Sequence, residues 1–419
     1  MNLLIKSATV LDPKSDFHNK TQDILIEKGI ITKIGSRINN THNYQTITLP
    51  NLHISQGWFD SSVSLGEPGF EERETIKNGL NTAAKSGFTT IALNAHTQPV
   101  TDTSGHVAYI KSKAAGYATT VLPIGALTQQ SKGEQLSEMF DMANAGAVAF
   151  GDYQIPTENA NLFKIALQYA NNFNGLVCAF PSDNAIARNG VMNEHITSTK
   201  IGLNGLPSIA EDLRIARDLF LLEYTGGKLH IPTISSAKSV DLIRQAKKQK
   251  LDVSCSVAIH NLFFNDSVLE TFNTNFKVIP PLRTSEDQNA LVQGLKDGTI
   301  DMVTSDHNPL DIELKKVEFD HAHYGTIGLE SAFGALNSLF STKTAIKYLT
   351  RGRERFGKLS YPIAVGNKAD FSLFNPDDSY TFSDVDILSK SKNAIFNNIT
   401  LKGKAYGIIN NNKLSLRDL

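Results

Sequence analysis

The chain of 419 residues has only two cysteines, Cys178 and Cys255, and no CxxC spacing. That count excludes a disulfide framework and a cysteine-based zinc site, and it leaves the two thiols as small core residues. An excess of charge of either sign is also missing. The 41 Lys+Arg against 42 Asp+Glu give a net charge of −1, so nothing in the balance recruits nucleic acid or another polyanion. No run approaches the roughly 18 consecutive apolar residues of a membrane helix, which argues against a membrane partner. The opening MNLLIKSATVLD alternates like a strand instead of showing a signal-peptide core, so the expected location is cytoplasmic. Repeats beyond the strand–helix period and low-complexity tracts are lacking too. What remains, 41% hydrophobic and 20% charged, is the composition of a globular protein with room for one large core and a smaller one.

The first fifty residues read as short strands: LLIKSATVLD, then DILIEKGIITKIG with a Lys-Gly turn, then TITLP. From His53 onward, strand-length apolar runs alternate with helical periodicity. The strands are HISQGWFDSSVSL, FTTIALNAH, TTVLPIGAL, AVAFGDY, GLVCAFPSD, KLHIPTISS, DVSCSVAIH and DMVTSDHNPL. The intervening helices are expected over 72–86, 105–116, 134–145, 158–172, 207–226, 236–249, 284–297 and 329–342. Eight such units favour an α/β fold, a closed (β/α)₈ TIM-like barrel over residues 54–359, with an open doubly wound sheet as the alternative. Strand character returns in ADFSLFNP, KNAIFNNITLKGKAYGIINN and NKLSL. Residues 1–53 and 360–419 are therefore expected to pair into one small β-sandwich domain.

A barrel of this kind carries its chemistry at the C-terminal ends of its strands. Those ends supply Asp60, Ser61, Ser62 and Ser64; Asn94 and His96; Asp152 and Tyr153; Phe180, Ser182 and Asp183; Thr233, Ser235 and Ser236; His260; and Ser305, Asp306, His307 and Asn308. Hydrolytic metal sites need several nitrogen, sulfur or carboxylate ligands converging on one ion, and neutral hydroxyls are poor substitutes. This set is mostly hydroxyls, so it predicts no metal.

The stretch FDSSVSLGEPGFEERETIKNGLNTAAKSGFTTIALNAHTQPVTDT resembles the opening of bacterial dihydroorotases, which belong to the amidohydrolase superfamily. AGAVAFGDY, NGVMNEH, GLPSIAEDLRIARDLFLLEYTGGKLH, PPLRTSEDQNALVQGLKDGTIDMVTSDHNPL and GTIGLES continue the resemblance, as do VGNKADFSLFNP and NNITLKGKAYGIINN near the end. The resemblance implies an amidohydrolase-type barrel with a small β-sandwich, and a zinc-assisted opening of a cyclic amide in pyrimidine biosynthesis. The catalytic positions depart from the family pattern. The family's His-x-His falls on Ser62 and Ser64, its carboxylate-binding arginine on Gly66, and its substrate asparagines on His96 and Ile279. Asp152 matches the first of two paired aspartates and Tyr153 replaces the second. The remaining ligand histidines fall on Phe180 and Thr233, and a histidine of the substrate pocket falls on Leu310. Asp306, the proton shuttle in the family, is retained, with His307 beside it.

Such losses imply a catalytically defective homologue, needing no cofactor, that persists for binding and assembly. The partner implied by the resemblance is aspartate carbamoyltransferase. The alternatives are a cyclic-amide hydrolase with a rearranged site, still interconverting carbamoyl aspartate and dihydroorotate, and a barrel that binds a small pyrimidine precursor. A homo-oligomer is expected. His96, His260 and His307 offer a conceivable new three-histidine metal site, and Ser62 or Ser305 with His307 a nucleophilic pair, although no GxSxG elbow supports the pair. Arg283, Asn193 and Glu194 read as loop anchors. His321, His323 and Tyr324 read as a surface turn near the barrel mouth. Arg351, Arg353, Arg355 and Lys358 cluster in TRGRERFGKLSYP, which reads as a solvated helix end.

Overall fold

The computed structural model describes residues 1–417. Its strands are β1 (Leu3–Val10), β2 (Thr21–Glu27), β3 (Ile30–Gly35), β4 (Gln45–Ile47), β5 (His53–Gln56), β6 (Trp58–Val63), β7 (Phe88–Leu93), β8 (Thr120–Gly125) and β9 (Ala149–Phe150). They continue with β10 (Leu176–Cys178), β11 (Met192–Asn193), β12 (Gly205–Leu206), β13 (Lys228–Ile231), β14 (Val253–Ala258), β15 (Met302–Thr304), β16 (Phe371–Thr381), β17 (Thr400–Asn410) and β18 (Lys413–Leu416). Between them lie helices α1 (Ile76–Lys85), α2 (Ser104–Ala114), α3 (Met139–Ala145), α4 (Ala160–Asn171), α5 (Asn184–Ala187), α6 (Ile196–Ile201) and α7 (Ile209–Thr225). After these come α8 (Ala237–Lys248), α9 (Ile259–Phe263), α10 (Ser285–Asp297), α11 (Ile312–Lys315), α12 (Ala332–Leu339) and α13 (Thr342–Thr350).

Eight strands run in the order β15-β14-β13-β10-β9-β8-β7-β6, and every neighbouring pair is parallel. Burial on both faces explains why they read as apolar runs. The seam between β15 and β6 is closed by one carboxylate. Asp60 accepts hydrogen bonds from the backbone of Ser62 (3.1 Å) and Ser305 (2.9 Å) and from the Thr304 hydroxyl, and a bridge joins Val63 to His307. The result is a (β/α)₈ barrel. Phe59, Ala92, Ile124, Cys178 and Met302 fill its interior, and Phe356 joins the same cluster from the segment after α13.

The helices form where an apolar stripe meets a cap. Thr75 Oγ1 accepts from Asn78 N at 3.1 Å to start α1, which buries Ile76, Leu80, Ala83 and Ala84. A second sheet takes strands from both ends of the chain, in the order β18-β17-β16-β5-β1-β2-β3, with β4 paired to β1.

The structure redraws several expected elements. HISQGWFDSSVSL is two strands: β5 pairs with β16 in the terminal sheet and β6 starts the barrel. The crossing is at Gly57, where an added Cβ would lie 2.0 Å from Thr89 Oγ1, so only glycine fits the passage. His260 ends no strand, because β14 stops at Ala258 and the chain turns directly into α9. The 329–342 helix begins at Ala332, and a further helix, α13, follows it. The basic cluster is not a solvated helix end. Arg353 is only 2% exposed and donates to Gly57 O and to Asp370 (2.7 Å).

Candidate active site

At the C-terminal mouth of the barrel the strand ends bring together Ser62, Ser64, Asn94, Tyr153 and Asp306. Ser62 Oγ donates to Asp306 Oδ1 at 2.9 Å, and Asn94 Nδ2 donates to both Ser62 Oγ and Ser64 Oγ at 3.1 Å. Tyr153 Oη approaches Asp306 Oδ1 at 3.5 Å and accepts from Gln154 Nε2 at 3.1 Å. Three of the strand-end residues, Tyr153 (φ 39°), Thr233 (φ 51°) and Asp306 (φ 47°), hold left-handed backbone without being glycine. Such strain persists only where the surroundings over-determine it. Burial raises the Asp306 carboxyl to about 7, and the nearby Asp60 adds to the rise while the Ser62 hydroxyl opposes it. Burial also pushes the Tyr153 phenol well above its ordinary value.

Little space is left inside. The cavity bounded by Ser61, Ser62, Asn94, Tyr153, Phe180 and His230 measures about 20 Å³, room for about one water. Phe180 is buried and occupies the wall where the resemblance expects a histidine. Farther out, the His96 ring lies between Phe70 (centroids 6.2 Å apart) and Tyr153 (5.7 Å), and the Arg73 guanidinium sits 4.1 Å over Phe70. Burial and the Arg73 charge lower the His96 pKa, which favours its neutral, stacking form. Gly66 cannot carry the arginine of the family pattern in this backbone, because an added Cβ would lie 1.8 Å from Phe70 O. The loop has closed over the place where that side chain would reach.

The other expected site residues serve structure. Asp152 turns away to accept from Leu127 N (2.9 Å), Thr128 N (3.0 Å) and Thr128 Oγ1 (2.6 Å). Thr233 N is held by Ser256 Oγ at 3.2 Å, Leu310 is buried, and Ile279 offers its carbonyl to Gln154. His307 Nδ1 accepts from Gly328 N at 3.2 Å, so neither Ser62 nor Ser305 is paired with it. His260 and His307 are buried and their pKa values fall to about 3 and about 4. The His96 ring is instead packed between Phe70 and Tyr153. Among the described residues, no group of three His, Cys, Asp or Glu side chains is placed to hold a metal ion, so the conceivable three-histidine site does not form.

A zinc-like ion does not fit the residues present. The one carboxylate at its position is Asp306, and its neighbours are two serines, a tyrosine and an amide, neutral groups that are poor ligands for such an ion. Arg283 is an anchor: its Nη1 donates to Asn193 Oδ1 (3.0 Å) and Leu206 O (2.8 Å), and its Nε to Ser235 Oγ (3.1 Å). Glu194 is exposed. His321 and His323 are exposed in a turn, whereas Tyr324 is tied down by donating to Gly190 O at 2.8 Å. Sequence reading passed over three residues. Phe70 and Arg73 lie in a loop without periodicity, and His230 sits one residue deep in an otherwise apolar strand, where its inward alternation was the available signal.

A family profile described as Dihydro-orotase-like matches residues 53–239. The dihydroorotase of Pelotomaculum thermopropionicum is 38% identical over 425 residues, covering 100% of this chain and 99% of that one. The dihydroorotase of Ruminiclostridium cellulolyticum is 39% identical over 96% of each chain. The chain belongs to the dihydroorotase family. Among solved structures, the L-hydantoinase (dihydropyrimidinase) of Arthrobacter aurescens superposes with a TM-score of 0.85 at 19% identity, covering 100% of this chain and 97% of that one. A D-hydantoinase superposes at 0.83. These likenesses show the fold, an amidohydrolase-type barrel with a β-sandwich. For a dihydroorotase-family barrel, the hydroxyl-lined and nearly closed mouth is the feature that needs a functional account.

Proposed function

We propose that this dihydroorotase homologue is catalytically defective and metal-free, and that it acts in cytoplasmic pyrimidine biosynthesis as a non-catalytic partner of aspartate carbamoyltransferase. The cavity of about 20 Å³ carries the reading. A cyclic amide the size of dihydroorotate has no room there, and water without a bound metal keeps a pKa near 15.7. Asp306 is then a neutral structural carboxyl donating or accepting within a hydroxyl network, and Ser62, Ser64 and Tyr153 are its packing partners.

Assembly is supported by the outer face of α7. Phe220 is 73% and Tyr224 76% exposed, and Leu213 and Ile209 continue the stripe about two and three turns toward the N-terminus. Ile165 and Tyr169 of the adjacent α4 widen it. The occupant is a second copy of the chain. About the midpoint between Ala216 and Arg217 the pair Ile209 and Leu213 mirrors Tyr224 and Phe220, so an antiparallel two-fold pairing sets aromatic against aliphatic, with Ala216 and Arg217 at the crossing. The six side chains offer on the order of 600 Å² per copy, near the roughly 800 Å² of a standard interface.

The test is dihydroorotate ring opening and closure by the purified protein, with and without added zinc, beside metal analysis of the same sample. No turnover and no stoichiometric metal are expected. Zinc-dependent turnover at any rate comparable with an active dihydroorotase overturns the reading. Purification from the native cell is expected to bring down a carbamoyltransferase, and its absence would count against the partnership.

A further inference from the structure

A large cavity lies at the end of the barrel opposite the closed mouth. It measures about 890 Å³ and runs beneath the starts of β14 and β15, between α13 and the loop that follows β1. That size suits a metabolite, not a solvent pore. Its walls carry Arg351, Arg353, Arg355, Lys343, Lys14 and His18, although the chain as a whole has a net charge of −1.

The carboxylates that share these walls are already engaged. Asp12 accepts from Gln56 Nε2 (3.0 Å) and from the backbone of Lys14 and Ile363. Asp252 pairs with Arg355, Asp301 with Lys347 at 2.7 Å, and Glu354 accepts from Ser360 at 3.1 Å. The cations are not all engaged. Among the described residues Arg351 has no carboxylate partner: its guanidinium lies 4.9 Å over the Tyr348 ring and reaches the carbonyls of Leu295 and Ile300, at 3.5 and 3.4 Å. The Nε atoms of Arg351, Arg353 and Arg355 and both ring nitrogens of His18 are buried without a hydrogen-bond partner among the described residues. Buried donors left unpaired cost free energy, and the three guanidinium N–H groups, with at least one ring N–H of His18, amount to an unmet demand for acceptors.

We infer that this cleft is a binding site for a phosphate-bearing small metabolite. Phosphate oxygens supply several acceptors at once, and guanidinium forks match them in geometry as well as charge. The site is separate from the barrel mouth and stands whether or not the mouth is catalytically active.

Isothermal titration of the full chain at constant ionic strength tests the assignment, with inorganic tripolyphosphate and a nucleoside triphosphate as probes. Saturable binding of one equivalent is expected. Arg351→Gln combined with Lys343→Gln should weaken it about tenfold or more, while Lys132→Gln, an exposed cation elsewhere, should leave it unchanged. Circular dichroism and melting without ligand check that the double variant is folded. If it is not, Lys343→Gln alone, at a side chain without a partner, carries the comparison. Tighter binding of the nucleotide would show that the cleft also reads the nucleoside, and equal binding would assign recognition to the phosphate chain. No saturable binding, or binding that Lys132→Gln weakens as much as the double variant does, means an adventitious ion only and overturns the inference.

Discussion

The two ends of the barrel contrast. At the C-terminal mouth, where this architecture places chemistry, packed side chains leave about 20 Å³. At the opposite end, where it usually places only stability, about 890 Å³ is open between basic side chains. The mouth is tightly packed: the Ser62 hydroxyl bonds to the buried Asp306 carboxyl, the His96 ring packs between Phe70 and Tyr153, and the backbone at Gly66 lies against Phe70 O. On the function proposed above, retained fold and retained site are separable, because backbone hydrogen bonds and apolar burial hold the barrel whatever residues end its strands.

Four changes would break or sharpen that contrast. The largest effect is expected from Gly66→Arg, which restores the family residue against a backbone oxygen 1.8 Å from its Cβ. A loss of about 5 kcal/mol in denaturant unfolding is expected, and a folded variant of unchanged stability would show that the mouth can reopen. Next is Arg283→Ala, which leaves Glu211, 2% exposed, without the cation 3.7 Å away. About 3–4 kcal/mol should be lost.

The third concerns pH. The Asp306 pKa rises from 3.8 to about 7 on folding, so the folded state binds the extra proton. Its contribution is favourable below about pH 4 and is lost as pH rises toward 7. Asp306→Asn should therefore gain stability relative to the parent by about 2–4 kcal/mol between pH 4 and pH 8, whereas a flat difference would mean an ionised carboxylate at the mouth. Buried His307, lowered to about 4, acts oppositely, costing stability as pH falls below 6.5, and it is common to both proteins. The smallest effect on folding is expected from Phe220→Ser on the exposed face of α7. Monomer stability should change by less than about 0.5 kcal/mol, while light scattering should show the assembled species dissociating.

Much of the fold was legible because strand and helix periods survive in the sequence: the eight units in order and the terminal strands follow from local pattern. Elements failed where a long-range contact overrode that pattern. β9 is cut to two residues because the chain bends at once to aim Asp152 at the loop after β8. HISQGWFDSSVSL divides because its halves find partners in different sheets. At the mouth, the replacement of ligands could be read from residue types. The filling of the space could not, since it depends on where Phe70, His96 and Tyr153 meet.

The sequence by itself determined the barrel, the family and the chemical character of the mouth, because these depend on periodicity, ordered motifs and side-chain type. Tertiary structure alone decided that Asp60 closes the seam, that burial raises the Asp306 carboxyl to about 7, and that three arginines of one short segment surround a cavity instead of facing solvent. Each of those depends on distances and burial between residues far apart in the chain, which no local pattern encodes.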